Sequence, residues 1–111
     1  MEDQFYLSES KNFLDGEGRL KSYPAKRKFK ILSLFYLASK FEKGKIYSVK
    51  EVNQILNNWH TFEDWAMLRR DLYDKFFIGR EADGSAYWLE DKQPTLVSFG
   101  LEKQNTEEEK S

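Results

Sequence analysis

The sequence contains no cysteine, one histidine and two prolines among its 111 residues. A chain without cysteine can form no disulfide, no thiolate metal site and no cysteine nucleophile, and it suits a reducing compartment. One histidine without a cysteine partner cannot make an ordinary zinc site. The longest apolar run, ILSLFYLA, is far shorter than the roughly 20 residues that a membrane-spanning helix needs. We therefore expect neither a metalloprotein nor a membrane protein.

The chain is predicted to form one folded domain. The first ten residues, MEDQFYLSES, are acidic and lack the apolar core of a signal peptide, so we expect a cytoplasmic protein. Nine Phe, six Tyr and three Trp favour a folded chain over a disordered one. We predict an N-terminal extension over residues 1–12, the domain over 13–100 and an acidic, disordered tail over 101–111.

Positive charge is concentrated in the first half of the chain, although the net charge is only −1. Residues 11–50 contain eleven Lys or Arg and three acidic residues, whereas residues 51–100 contain five and nine. This asymmetry indicates one positive face that could meet an anionic partner. The alternative is that the two halves simply neutralise each other in the fold.

Three helices are predicted from apolar spacing and capping residues. The first, Pro24–Phe41, is apolar on nearly all sides and is therefore expected at the centre. A short strand over Lys45–Tyr47 follows. Ser48 and Glu51 form a capping-box pattern that starts a second helix at Val49, which should end near 57–60. Thr61 or Asp64 then caps a third helix, predicted from Phe62 to about Lys75.

A β-hairpin is predicted after the third helix. The segment FFIGREADGSAYWLE has two aromatic-rich stretches on either side of Asp83-Gly84, a strong hairpin signal. A further short strand is predicted over Leu96–Phe99. The order of helix, strand, helix, turn, helix and hairpin predicts a small α+β winged helix-turn-helix domain, with three helices and a C-terminal β-hairpin wing.

Two family resemblances accompany this interpretation. The segment LRRDL, Leu68–Leu72, followed by IGRE resembles the third helix and wing entry of DeoR-type bacterial repressors. The blocks FLDGEGRLKSYPAKRKFK, FEKGKIYSVKEVNQILNNWHTFEDWAMLRRDLYD and READGSAYW resemble a bacterial family known as domain of unknown function 2087, over Phe13 to Trp88. That resemblance implies proteins that stand alone or are attached to predicted transcriptional regulators. It implies no established activity.

The two adjacent arginines of the third helix have different expected roles. At 100° per residue, the apolar stripe of this helix consists of Trp65, Leu68, Leu72 and Phe76. Arg69 falls on the flank of the stripe, where we expect its stem to lie along the core and its head to pair with an acid. Arg70 faces away from the stripe and could bind nucleic acid, although Asp74 at i+4 could neutralise it.

The strongest electrostatic signal surrounds the start of the first helix. Cations oppose the positive end of a helix dipole, so a purely structural design would favour acids there. An anionic partner such as a phosphate backbone would explain the cations at this position. The alternative is a solvated basic turn that pairs with Asp15, Glu17 or the acidic C-terminal half. The predicted nucleic-acid-binding residues are Lys21, Lys26, Arg27, Lys28, Lys30, Arg70 and Arg80.

The sequence shows no pattern of a catalytic site or a cofactor. His60 lies in the turn between two helices, without a nucleophile pattern, a phosphate loop or a glycine fingerprint, so we expect a hydrogen-bonded structural histidine. Carboxylates at a helix start, such as Glu63 and Asp64, are simply stabilising. We predict a non-enzymatic protein that binds no cofactor and no metal.

Two functions fit these observations. The first is a DNA-binding transcriptional regulator, in which the basic cluster holds duplex DNA and a homodimer supplies two modules. The second is a winged-helix protein-interaction module that meets an acidic protein or a second copy. The acids of the third helix and the thioether of Met67 favour the second function, with Tyr87 and Trp88 as further contact candidates.

Overall fold

The computed structural model describes residues 13–101. The predicted extension 1–12 and all but the first residue of the predicted tail lie outside this range. Within it, the elements in chain order are α1 (Arg27–Ala38), β1 (Ile46–Tyr47), α2 (Val49–Trp59), α3 (Trp65–Asp74), β2 (Ile78–Arg80), β3 (Tyr87–Leu89) and a short 3-10 helix, Val97–Phe99.

Helix α1 lies at the centre of the domain, as its apolar character predicts. Every residue from Ile31 to Ala38 is buried, including Ser33, whose hydroxyl donates to the Phe29 carbonyl at 2.9 Å. The helix is shorter than predicted at both ends. It starts after Lys26 without a side-chain cap, and the chain beyond Ala38 tightens into i→i+3 turns up to Phe41.

Helix α2 starts where the capping box predicts. The Glu51 N–H donates to the Ser48 hydroxyl at 3.1 Å, and the Ser48 N–H donates to the Glu51 carboxylate at 2.8 Å. Helix α3 begins at Trp65 rather than Phe62, because Asp64 and not Thr61 is its N-cap: the Asp64 carboxylate accepts the Met67 N–H at 3.4 Å.

The three strands form an antiparallel sheet in the order β1-β3-β2. Ile46, Trp88 and Gly79 pair across the sheet in one row, which faces away from the helices. The next row, Tyr47, Tyr87 and Arg80, lies on the opposite face. Gly79 leaves room for its neighbour, since a Cβ there would lie 2.5 Å from the Trp88 indole nitrogen.

The hairpin turns at the predicted residues. The Glu81 N–H donates to the Ala86 carbonyl, and the Gly84 N–H donates to the Glu81 carbonyl, both at 2.9 Å. Gly84 has φ of +76°, which glycine adopts readily. The Asp83 carboxylate accepts the Ser85 N–H at 2.9 Å. The connection is therefore longer than a two-residue turn, although its position was predicted correctly.

The predicted strand over Leu96–Phe99 is wrong. The segment forms a 3-10 helix over Val97–Phe99. Thr95 and Ser98 each accept the backbone N–H of the other on a side-chain oxygen, at 3.1 and 3.0 Å. These hydroxyls hold a local turn in place of strand pairing.

The segment before α1 is clasped onto the turn between α2 and α3. Leu20 is fully buried. Its N–H donates to the Trp59 carbonyl at 2.7 Å, and its carbonyl accepts the Thr61 N–H at 3.0 Å. Residues 13–20 therefore belong to the folded domain rather than to a loose extension.

The described residues thus form a small α+β domain of three helices and a three-stranded antiparallel sheet, an architecture compatible with the predicted winged helix. The core joins α1 to the inner faces of α2, α3 and the sheet. Over residues 13–101, none of the helices has the length and apolar character required to cross a bilayer.

Candidate nucleic-acid interface

The N-terminal end of α3 is held by the histidine. His60 is 3% exposed. Its Nδ1 lies 2.6 Å from the Leu56 carbonyl oxygen, and its Nε2 accepts the Asp64 N–H at 2.9 Å. Because a carbonyl can only accept, Nδ1 carries the hydrogen. The imidazole therefore joins the last turn of α2 to the N-cap of α3, as expected for a structural histidine.

The C-terminal end of α3 differs from the prediction. Trp65, Leu68 and Leu72 pack in or against the core, but Phe76 is 72% exposed, so its assignment to the apolar stripe is wrong. The helix ends at Asp74, and Phe76 has φ of +71°. This left-handed residue redirects the chain, so the helical spacing no longer applies to the ring.

The two arginines of α3 separate as predicted, with one correction. The Arg69 guanidinium donates to the Asn53 side-chain oxygen of α2. Its partner is therefore an amide rather than the expected acid, because α2 presents Asn53 to this flank. Arg70 is largely exposed and pairs with Asp74 at 3.8 Å, the i+4 partner that was predicted.

One flank of α3 carries the basic segment that leads into the first turn of α1. The Tyr23 hydroxyl donates to the Asp71 carboxylate at 2.6 Å. Burial, together with this hydrogen bond, raises the pKa of Tyr23 well above its usual range, so the phenol keeps its proton. The Lys30 ammonium lies over the Tyr23 ring, 5.1 Å from its centroid. The segment Lys21–Lys30 is thereby fixed beside the helix.

The predicted basic cluster is largely exposed. Lys21, Lys26 and Lys28 are exposed, and the first turn of α1 contains no acidic residue. Lys28 also lies 5.5 Å from the centroid of the Phe29 ring. Arg27, although exposed, donates to the Phe99 carbonyl at 3.1 Å. Arg27 therefore has a structural role beside the one predicted.

Asp15 and Glu17 were proposed as partners of this basic cluster, but both form ion pairs with Arg19. Asp15 contacts Arg19 at 2.9 Å, and Glu17 contacts Arg19 at 3.3 Å. The Asp15 carboxylate also accepts the N–H groups of Arg19 and Glu17, which lowers its pKa. Asp15 and Glu17 are thus engaged by Arg19 and not by the basic cluster.

The other flank of α3 carries Arg80 of β2. The Arg80 guanidinium lies 5.1 Å from the centroid of the Tyr73 ring, and hydrogen bonding to the Tyr73 and Tyr87 side chains raises the pKa of Arg80. No carboxylate within residues 13–101 forms an ion pair with Arg80. Tyrosines therefore hold this cation without neutralising it.

The three protein-contact candidates have different surroundings. Tyr87 is buried and cannot serve as a contact surface, which corrects its inclusion. Trp88 is partly exposed on the outer face of the sheet, beside the 63%-exposed Ile46. Met67 is exposed on the outward face of α3.

Sequence reasoning missed the residues that join these patches. Tyr23 and Asp71 are 48 positions apart in the chain, and only the fold shows that they meet. Tyr73 could have been noticed, because it lies off the apolar stripe of an amphipathic helix. Within residues 13–101, no cluster of three or more His, Asp or Glu side chains could hold a metal ion.

Residues 19–89 match the family model described as uncharacterized protein conserved in bacteria, DUF2087. The chain belongs to this family. Neither the curated proteins nor the solved structures that were compared gave a match. The resemblance of α3 to DeoR-type repressors therefore stays a prediction. The DUF2087 match begins one residue before Leu20, includes all three helices and ends with β3.

Proposed function

We propose that this domain is a winged-helix module that binds duplex DNA in the cytoplasm, as a non-enzymatic transcriptional regulator. One observation carries the proposal: three separate parts of the chain that contain cations are joined to α3 or belong to it. Tyr23 fixes the basic segment Lys21–Lys30 along one flank, and Tyr73 holds Arg80 at the other. Arg70 lies on the helix itself.

Phosphate neutralisation is the chemistry that this arrangement supports. Exposed lysines attract the DNA backbone without reading sequence, and they release bound counterions as they do so. With the basic segment and Arg80 on phosphates, α3 would be brought towards a groove. The exposed side chains of α3 would then contact the bases, Met67 by apolar contact and Arg70 by hydrogen bonds after it releases Asp74.

The direct test is fluorescence anisotropy of a labelled random duplex at about 50 and 200 mM salt, because phosphate contacts lose affinity steeply over this range. We expect salt-sensitive binding by the wild-type protein. Lys21→Gln/Lys26→Gln should weaken it. The same double variant should reduce the salt dependence by about one unit of slope for each phosphate that is no longer neutralised.

A matched control removes two positive charges elsewhere. Lys45 and Lys50 are both exposed and lie on the β1 and α2 side of the domain. Lys45→Gln/Lys50→Gln changes the net charge equally and should retain most of the affinity. An equal loss in both double variants would mean that net charge alone attracts DNA. No binding at the lower salt would contradict the proposal.

A protein-interaction module is the second candidate. The exposed apolar side chains Met67 and Ile46, together with the partly exposed Trp88, favour it. Sedimentation of the wild-type protein at increasing concentration separates the two forms of this alternative, because only a homodimer would show a mass that rises with concentration.

A further inference from the structure

The corner between α3 and β2 ends in a motif that normally contains glycine. The Phe77 N–H donates to the Leu72 carbonyl at 2.9 Å, and the Phe76 N–H donates to the Tyr73 carbonyl at 3.1 Å. These two bonds form a Schellman motif, whose left-handed residue is usually glycine. Here Phe76 occupies that position at φ +71°.

Phenylalanine is unfavourable at this position in two ways. A bulky residue in the left-handed region is strained, whereas glycine is not. Within residues 13–101 the ring gains little burial in return, because it is 72% exposed and is not among the residues that pack against the core. A strained residue with a large exposed ring is a reason to ask what contacts that ring.

The residue to which the Phe76 backbone is bonded is aromatic and lies against a cation. The Phe76 N–H donates to the Tyr73 carbonyl, and the Tyr73 side chain is 40% exposed with the Arg80 guanidinium 5.1 Å from its ring centroid. Exposed aromatic faces beside an arginine are the combination with which proteins stack unpaired bases and hold the adjoining phosphates. A two-fold contact centred on this corner would instead place Arg80 of one copy close to Arg80 of the other.

We propose that the Phe76 ring is a stacking platform for an exposed nucleobase, with Arg80 and Tyr73 beside it for the adjoining backbone. The inference rests on the proposed nucleic-acid binding and specifies its ligand: a nucleic acid that has an unpaired base where it meets the end of α3. A perfectly paired duplex would use the cations but not the ring.

The test compares a labelled duplex with the same duplex carrying one unpaired base. We expect the wild-type protein to bind the second more tightly. Phe76→Gly should bind the duplex with the unpaired base roughly tenfold more weakly than the wild type does, because removing one base-stacking aromatic side chain usually costs about that much. Its affinity for the perfect duplex should not change. Ile46→Ala changes an apolar residue of similar exposure (63% against 72%) on the outer face of the sheet, so it is the control and should change neither affinity.

The same variant carries an independent readout. Because glycine relieves the left-handed strain, Phe76→Gly should raise the Tm by a few degrees, while it weakens binding. Phe76→Leu keeps apolar bulk but has no aromatic face, so it should also lose the preference for the unpaired base. A lowered Tm in Phe76→Gly would show that the ring stabilises the fold and would overturn the inference.

The other outcomes are distinct. Wild-type binding that is equal for the two ligands, or unchanged in Phe76→Gly, overturns the stacking platform and leaves the proposed duplex binding intact. Binding to neither ligand overturns both proposals. Concentration-dependent self-association that Phe76→Gly abolishes would assign the ring to a second copy of the chain instead of a nucleobase.

Discussion

The two ends of α3 contrast sharply. At its N-terminal end, the Asp64 N–H is bonded to His60, the Asp64 carboxylate caps the helix, and Leu20 clasps the preceding turn. At its C-terminal end, the Phe76 ring is exposed and Arg80 is held without a carboxylate. Both ends contain a left-handed residue, Glu63 and Phe76, but the N-terminal end is fixed by hydrogen bonds to buried groups, whereas the C-terminal end leaves an aromatic ring exposed.

The largest effect is expected at the N-terminal end. His60→Ala removes one buried hydrogen bond, one part-buried hydrogen bond and a buried ring, so it should lower the free energy of unfolding by about 2–4 kcal/mol. Urea denaturation followed by tryptophan fluorescence measures it. Asn58→Ala, an exposed neighbour, should change it by less than about 0.5 kcal/mol. Equal changes in unfolding free energy for His60→Ala and Asn58→Ala would mean that His60 does not stabilise the N-terminal end of α3.

An intermediate effect is expected where the basic segment joins the middle of α3. Tyr23→Phe removes the donor to Asp71 and should cost about 1–2 kcal/mol of unfolding free energy, because the carboxylate loses a part-buried partner. Tyr73→Phe removes the hydroxyl of a 40%-exposed side chain, where water can replace its hydrogen bond to Arg80, and should cost less than about 0.5 kcal/mol. The same urea experiment compares them, and a Tyr23 effect no larger than that of Tyr73 would mean that the bond does not fix the segment.

The smallest change in stability is expected at the exposed Arg70–Asp74 pair. Asp74→Asn should alter the unfolding free energy by less than about 0.5 kcal/mol, because exposed ion pairs contribute little. It should nevertheless tighten DNA binding, since it frees Arg70 and removes an acid from the outward face. Anisotropy at the lower salt measures this gain, and weaker binding would show that Arg70 needs Asp74 to hold its position.

Local rules predicted much of this fold. The Ser48–Glu51 capping box and the Asp83-Gly84 turn lie where the sequence placed them, because both depend on residues at most three positions apart. The apolar character of Ile31–Ala38 also placed α1 correctly in the core. Short-range chemistry was sufficient for each of these features.

The site depended on interactions that local rules do not describe. Tyr23 and Asp71 are 48 positions apart in the chain and meet because the fold brings the segment before α1 onto α3. Phe76 was wrongly assigned to the apolar stripe because helical spacing was applied beyond Asp74, the last helical residue. The local sequence contains no pattern that predicts a left-handed phenylalanine. An acid was predicted as the partner of Arg69, but the partner is the amide of Asn53. The packing of α2 against α3 decides which side chain lies beside Arg69, and the local sequence does not describe that packing.

The Leu20 clasp has a consequence for the order of folding. Its pairing with the chain around His60 closes a loop of about 40 residues, and closing a loop of that length carries an entropic cost that nearby contacts do not have. Helices α2 and α3 can contact each other before that loop closes, so we expect the clasp to form late in folding and to open early in unfolding. The Thr61 amide hydrogen, which bonds to Leu20, is therefore the natural reporter of local opening at the turn between α2 and α3.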